Sequence, residues 1–204
     1  MRIGVLALQG DFDAHVKALA EAGAEAIEIR RAADFEWLDG LVLPGGESTT
    51  MLRLLREEAL LGPLAEYGRR KPVFGTCAGA ILLALEVTHP VQESLGLVDI
   101  GVRRNAYGRQ VDSRVAVLDP KGGGNGYLFP GVVEAVFIRA PIIERVGAGV
   151  RVLLEYKGAP VLVEEGPHLV ATFHPELSPE RSVHQLFVKK VAEWKGRASL
   201  VMAT

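Results

Sequence analysis

The chain's single cysteine, Cys77, sits in Gly75-Thr76-Cys77-Ala78-Gly79, after the apolar run Pro72-Val73-Phe74 and before a helix-like segment. This is the cysteine counterpart of the Gly-x-Ser-x-Gly nucleophile turn. Glycines flank the nucleophile because a tight strand-to-helix turn leaves no room for side chains there. The turn projects the sulfur from the carboxyl edge of a sheet, and the following helix N-terminus favours thiolate. A buried structural cysteine is the competing reading of the residue taken alone.

A base is available at Thr172-Phe173-His174-Pro175-Glu176. Pro175 restricts His174 to extended backbone, and in an extended segment residues i and i+2 share a side. Glu176 is therefore expected to hold one imidazole nitrogen of His174 while the other faces Cys77. Nucleophile, base and orienter together make a triad.

Pro44-Gly45-Gly46-Glu47-Ser48 follows another apolar run. Its glycines let backbone N–H groups approach a ligand closely. We expect an oxyanion donor there, with the N–H of Ala78 as the second. Arg103, Arg104 and Arg109, with Asn105 and Tyr107, form a basic group suited to anions or carboxylates, and Arg139 closes a later strand with the same potential. His15, His89, His168 and His184 have no partners at metal-ligand spacing, and a lone cysteine makes no zinc site. The run Gly122-Gly123-Gly124-Asn125-Gly126 reads as a loop, since no Lys-Ser/Thr or helix start follows it.

These groups need a scaffold. Residues 3–8 form a continuous apolar run, as in a strand covered on both faces. Phe12, Val16, Leu19 and Ala20 then follow helical spacing over 11–22, with Asp11 as N-cap and Gly23 as terminator. Further strands are expected near Ala26–Ile29, Leu41–Leu43 and Pro72–Phe74. Helices are expected at 48–57 (capped by Ser48), 60–70 and 78–86. Alternating strands and helices imply a parallel sheet with helices on both faces. Short apolar runs at 97–102, 114–118, 132–138, 150–155, 160–164 and 168–173 suggest an antiparallel section added to that sheet. Residues 180–194 return to helix, with Val183, Leu186, Phe187, Val191 and Trp194 on one stripe.

The chain has 204 residues, is 49% hydrophobic and 24% charged, and carries a formal charge of −2. This fits one globular domain and argues against a nucleic-acid binder. No apolar run reaches the roughly 18–20 residues of a membrane span. Gln9-Gly10-Asp11 cuts the N-terminal apolar run too short for a signal peptide. We expect a cytoplasmic protein, with one domain over 1–196 and a C-terminal tail over 197–204.

The Cys77 turn with His174-Pro175-Glu176 resembles the class I (triad-type) glutamine amidotransferase family. Within it, Leu8-Gln9-Gly10, Leu43-Pro44-Gly45-Gly46-Glu47-Ser48-Thr49-Thr50, Arg104-Asn105, Gly108-Arg109-Gln110-Val111-Asp112-Ser113 and Phe137-Ile138-Arg139-Ala140-Pro141 resemble the glutaminase subunits of pyridoxal 5′-phosphate synthase. The resemblance implies an α/β three-layer sandwich with a mostly parallel central sheet, flavodoxin-like. It implies hydrolysis of L-glutamine by Cys77, His174 and Glu176 through a γ-glutamyl thioester. Gly46, Glu47, Ser48, Arg104, Ile138 and Arg139 would contact glutamine. No cofactor, nucleic acid or membrane is implied. Ammonia would pass to a separate synthase subunit, in a large hetero-oligomer, for assembly of pyridoxal 5′-phosphate from a pentose phosphate and a triose phosphate. The subunit is expected to be switched on by docking, which orders the Gly45-Gly46 loop. A glutaminase for another synthase, a cysteine peptidase on a related fold, and a non-catalytic binding subunit remain rival readings.

Overall fold

The computed structural model describes residues 1–104, 113–120 and 129–201, with side chains up to residue 197. Asn105, Tyr107, Arg109, the rest of 105–112 and the glycine run at 122–126 lie outside the described residues.

The first half alternates as its apolar pattern predicts. Strand β1 (Arg2–Leu6) leads through α1 (Phe12–Glu21) to β2 (Glu25–Ile29). Then come β3 (Gly40–Leu43), α2 (Ser48–Glu57), α3 (Leu61–Gly68), β4 (Val73–Thr76) and α4 (Ala78–Leu83). The second half is richer in strands: β5 (Ala84–Thr88), β6 (Val98–Arg103), β7 (Arg114–Leu118), β8 (Val133–Phe137), β9 (Ile142–Val146), β10 (Arg151–Tyr156), β11 (Ala159–Glu165) and β12 (His168–Ala171). Helix α5 (Ser182–Val201) follows and continues past residue 196, where the tail was expected to begin.

The central sheet has seven strands in the order β10-β11-β12-β4-β3-β1-β2. β12, β4, β3, β1 and β2 are mutually parallel, while β10 and β11 extend the edge antiparallel. Side chains alternate across this sheet. Leu41, Leu43, Val73 and Val170 face one core with α2, α3 and α4. Val42, Phe74, Leu169 and Ala171 face a second core with α1 and α5. Helices thus cover both faces, giving the three-layer α/β fold with a mostly parallel sheet.

Four local expectations are corrected. The antiparallel section is not all in the main sheet: β5-β6-β9 and β7-β8 form separate small sheets. The helix expected to reach 86 stops at Leu83, because Ala84–Thr88 pairs in parallel with β6. Helix α2 is capped not by Ser48 but by Glu47, whose longer carboxylate reaches the N–H groups of both Thr49 and Thr50. Asp11 does precede α1, but its φ of −91° and ψ of 55° lie off the extended geometry of a capping residue, and its side chain caps nothing.

His168 opens β12 and is buried. Burial, aided by the charge of Lys190, pulls its pKa down from 6.5 to about 4. Between those values the unfolded chain takes up a proton that the folded chain refuses, so stability falls as pH falls. This group alone makes the loss roughly 3 kcal/mol. Thermal melts of His168→Gln should fall less between pH 7 and pH 4.5 than melts of the unsubstituted chain; equal slopes would show that another group dominates.

Candidate active site

Strand order places the site. β1 and β3 lie side by side but feed connections to opposite faces of the sheet, and ligands gather outside the carboxyl ends of parallel strands at such a switch. The loops after β1 and β3 meet there: the backbone N–H of Glu47 donates to Gln9 Oε1 at 3.3 Å.

Cys77 joins β4 to α4 with φ 46° and ψ −98°, a strained turn that only firm surroundings maintain. Its N–H donates to the Ala171 carbonyl on β12 at 2.9 Å. The flanking glycines are required by close approach. A Cβ on Gly79 would lie 2.1 Å from the Leu43 carbonyl oxygen, and one on Gly75 would lie 2.5 Å from the Gly79 carbonyl oxygen. Ala78 begins α4, so its N–H belongs to the first turn, where no intrahelical acceptor exists.

His174 follows β12, the strand paired with β4, and this pairing brings it to Cys77. His174 Nδ1 lies 2.7 Å from Glu176 Oε1. The expected contact forms, but not through an extended segment: Pro175–Leu177 is a single 3₁₀ turn, and this turn folds Glu176 back under the ring. Burial opposes charge on His174, yet hydrogen bonding to Cys77 and to Glu176, with their charges, pushes its pKa up to about 10. Burial likewise opposes the Glu176 carboxylate, but His15 and His174 hold its pKa below the usual range.

A cleft of about 140 Å³ opens over Cys77 and His174. Gly46, Glu47, Ser48, Arg104, Ile138 and Arg139 all line it, joined by Ile81 and Pro141. The volume suits one small polar molecule. Cys77 Sγ rests 3.9 Å from the Ile138 carbonyl oxygen. Arg104 is buried and donates to Thr49 Oγ1 at 2.8 Å, with Glu47 Oε1 at 3.5 Å. Ser48 Oγ donates to Gln92 Oε1 at 3.0 Å. Arg139 is exposed at a φ of 46°, turned at the cleft rim. Arg103 instead pairs with Glu144 at 2.5 Å and is not among the residues of the cleft.

Three residues near the site were given no role at it by the sequence reading. Gln9 packs beneath Gly46, and a Cβ there would lie 2.3 Å from Gln9 Nε2. His15 and His184 are fully buried behind Glu176. Their signal was a polar residue on an otherwise apolar helical stripe, His15 one turn before Leu19 and His184 between Val183 and Phe187.

Comparison with known proteins places these features in context. A family model described as the SNO glutamine amidotransferase family matches residues 5–193. The chain is 59% identical over 190 residues to the pyridoxal 5′-phosphate synthase subunit PdxT of Solibacter usitatus, covering 93% of this chain and 99% of that one. It is 50% identical over 191 residues to the subunit of the same name from Koribacter versatilis, covering 94% and 96%. A solved structure titled as a glutamine amidotransferase superposes with a TM-score of 0.83 at 42% identity, covering 93% of this chain and 98% of that one.

Proposed function

Because the chain belongs to the SNO glutamine amidotransferase family, we propose that it is the glutaminase subunit of a pyridoxal 5′-phosphate synthase, acting through Cys77, His174 and Glu176. The observation that carries this reading is the meeting of Cys77 and His174 in one cleft, in a chain matched almost end to end by a subunit of that name.

Cys77 Sγ, whose proton His174 already holds, attacks the side-chain amide carbon of glutamine. Negative charge moves to the carbonyl oxygen, within reach of the N–H groups of Gly46 and Ala78. His174, held by Glu176 through Nδ1, protonates the departing nitrogen, and ammonia leaves a γ-glutamyl thioester. His174 then takes a proton from water, which attacks the thioester and releases glutamate. Arg104 and Arg139 offer guanidinium groups for the substrate carboxylate, and Glu47 offers a carboxylate for its ammonium. Gly46, Ser48 and Ile138 shape the rest of the cleft. The subunit is read as a single domain over 1–196, working in the cytoplasm in a large hetero-oligomer with its synthase. Among the described residues, no helix is long and apolar enough to cross a membrane.

Glutamate release by the purified chain, with and without the synthase subunit, tests the reading. We expect turnover to rise severalfold on adding the synthase, and amide-¹⁵N from glutamine to enter pyridoxal 5′-phosphate. Glutaminase activity indifferent to this synthase would point to a different acceptor.

A further inference from the structure

Behind Glu176, on the side away from the cleft, a chain of buried polar side chains is left unused by the hydrolysis scheme. His15 on α1 and His184 on α5 are both fully buried. His15 Nε2 lies 3.2 Å from Glu176 Oε2 and 3.1 Å from Thr76 Oγ1. His15 Nδ1 lies 3.1 Å from His184 Nε2. Glu176 thus bonds His174 through one oxygen, while the other, Oε2, faces His15 as a charge contact and has no hydrogen-bond partner among the described residues. Thr76 is the last residue of β4, immediately before Cys77. One imidazole therefore touches both the carboxylate that orients the base and the residue immediately before Cys77.

The hydrogen bonds specify tautomers. A bare lone pair 3.2 Å from a carboxylate oxygen would be repelled, so His15 Nε2 carries the proton and donates it to Thr76 Oγ1. Burial lowers the pKa of His15 and of His184, which keeps both rings neutral. His15 Nδ1 is then an acceptor, and His184 Nε2–H must be its donor. The remaining atom, His184 Nδ1, has no hydrogen-bond partner among the described residues. It is a bare lone pair in this scheme, so no N–H is left orphaned.

Resting on the triad reading above, we propose that His15 is a positioning residue for glutamine hydrolysis: it holds Glu176 and Thr76 in fixed relation, and His184 sets its tautomer. A merely structural histidine would affect melting temperature but not the chemical step. A positioning one changes kcat and leaves KM alone, because neither histidine reaches the cleft.

The test uses His15→Gln, His15→Asn and His15→Leu in the full chain with its synthase subunit. A glutamine amide places an N–H where Nε2 stood; an asparagine amide falls short. Losing an outer support of this kind costs about ten- to a hundredfold, so kcat should fall by that factor in His15→Asn and His15→Leu, with KM within about twofold. His15→Gln should recover to within about threefold of the unsubstituted chain. Equal kcat for the Gln and Asn variants, or an undiminished kcat in His15→Leu, would overturn the proposal. So would failure of all three to fold, which would make the residue structural. Glu176→Ala is the control: if it keeps full activity, the triad reading fails; if it is inactive while the His15 variants are not, only the role of His15 falls.

Discussion

Replacing Cys77 by alanine is expected to lower glutamine hydrolysis by about four orders of magnitude or more, since no other group near the cleft can form the thioester. Among the described residues the sulfur is the sole thiol facing the cleft, and the substitution removes only that atom from a buried position. The strained backbone at φ 46° is unchanged in kind, so the fold and docking to the synthase should survive. Glutaminase activity in the presence of the synthase, with circular dichroism and co-purification as controls, checks this. Turnover retained by the alanine variant would remove Cys77 from the mechanism.

The second large effect is expected at Gly45. A methyl group there would lie 2.4 Å from His174 Cε1, 2.8 Å from Nδ1 and 3.4 Å from Cys77 Cβ. The imidazole must shift, and its 2.7 Å bond to Glu176 must stretch or break. A displacement of about 1 Å in a reacting group costs about a hundredfold or more in kcat. Gly45→Ala should therefore lose at least that much. His174 borders the cleft and is not part of either apolar core, so the melting temperature should change little. An alanine variant within about threefold of normal kcat would mean that the ring accommodates the methyl, and that its position is less critical than the triad requires.

Much of this arrangement was legible in the residues. β1, β3 and β4 are short apolar runs because both faces of a central parallel strand are buried. The Cys77 turn announced itself because the pair of flanking glycines is a local sequence pattern, although Gly79 answers to the Leu43 carbonyl on β3. What was not legible depended on distant partners. Ala84–Thr88 follows an unbroken apolar helix and carries no breaker, and only its pairing with β6 makes it a strand. β9 went unread because Ile142–Val146 is short and half-exposed, and it is defined by pairing with β6. The contact between His174 and Glu176 was anticipated, but its geometry was not: proline restricts the residue before it, yet says little about the turn it begins. His15 and His184 looked like isolated polar residues because 169 positions separate them in the chain.

The place of β12 has a consequence for the order of synthesis. This strand lies between β4 and β11 in the middle of the sheet, although it is among the last strands to leave the ribosome. Until it arrives, β4 has an unpaired edge, and the sulfur has no imidazole to take its proton. On the proposed mechanism a nascent chain therefore holds Cys77 idle until residue 174 is made, and cannot consume glutamine before then. The same delay leaves an apolar edge open to other unfinished chains until β12 docks.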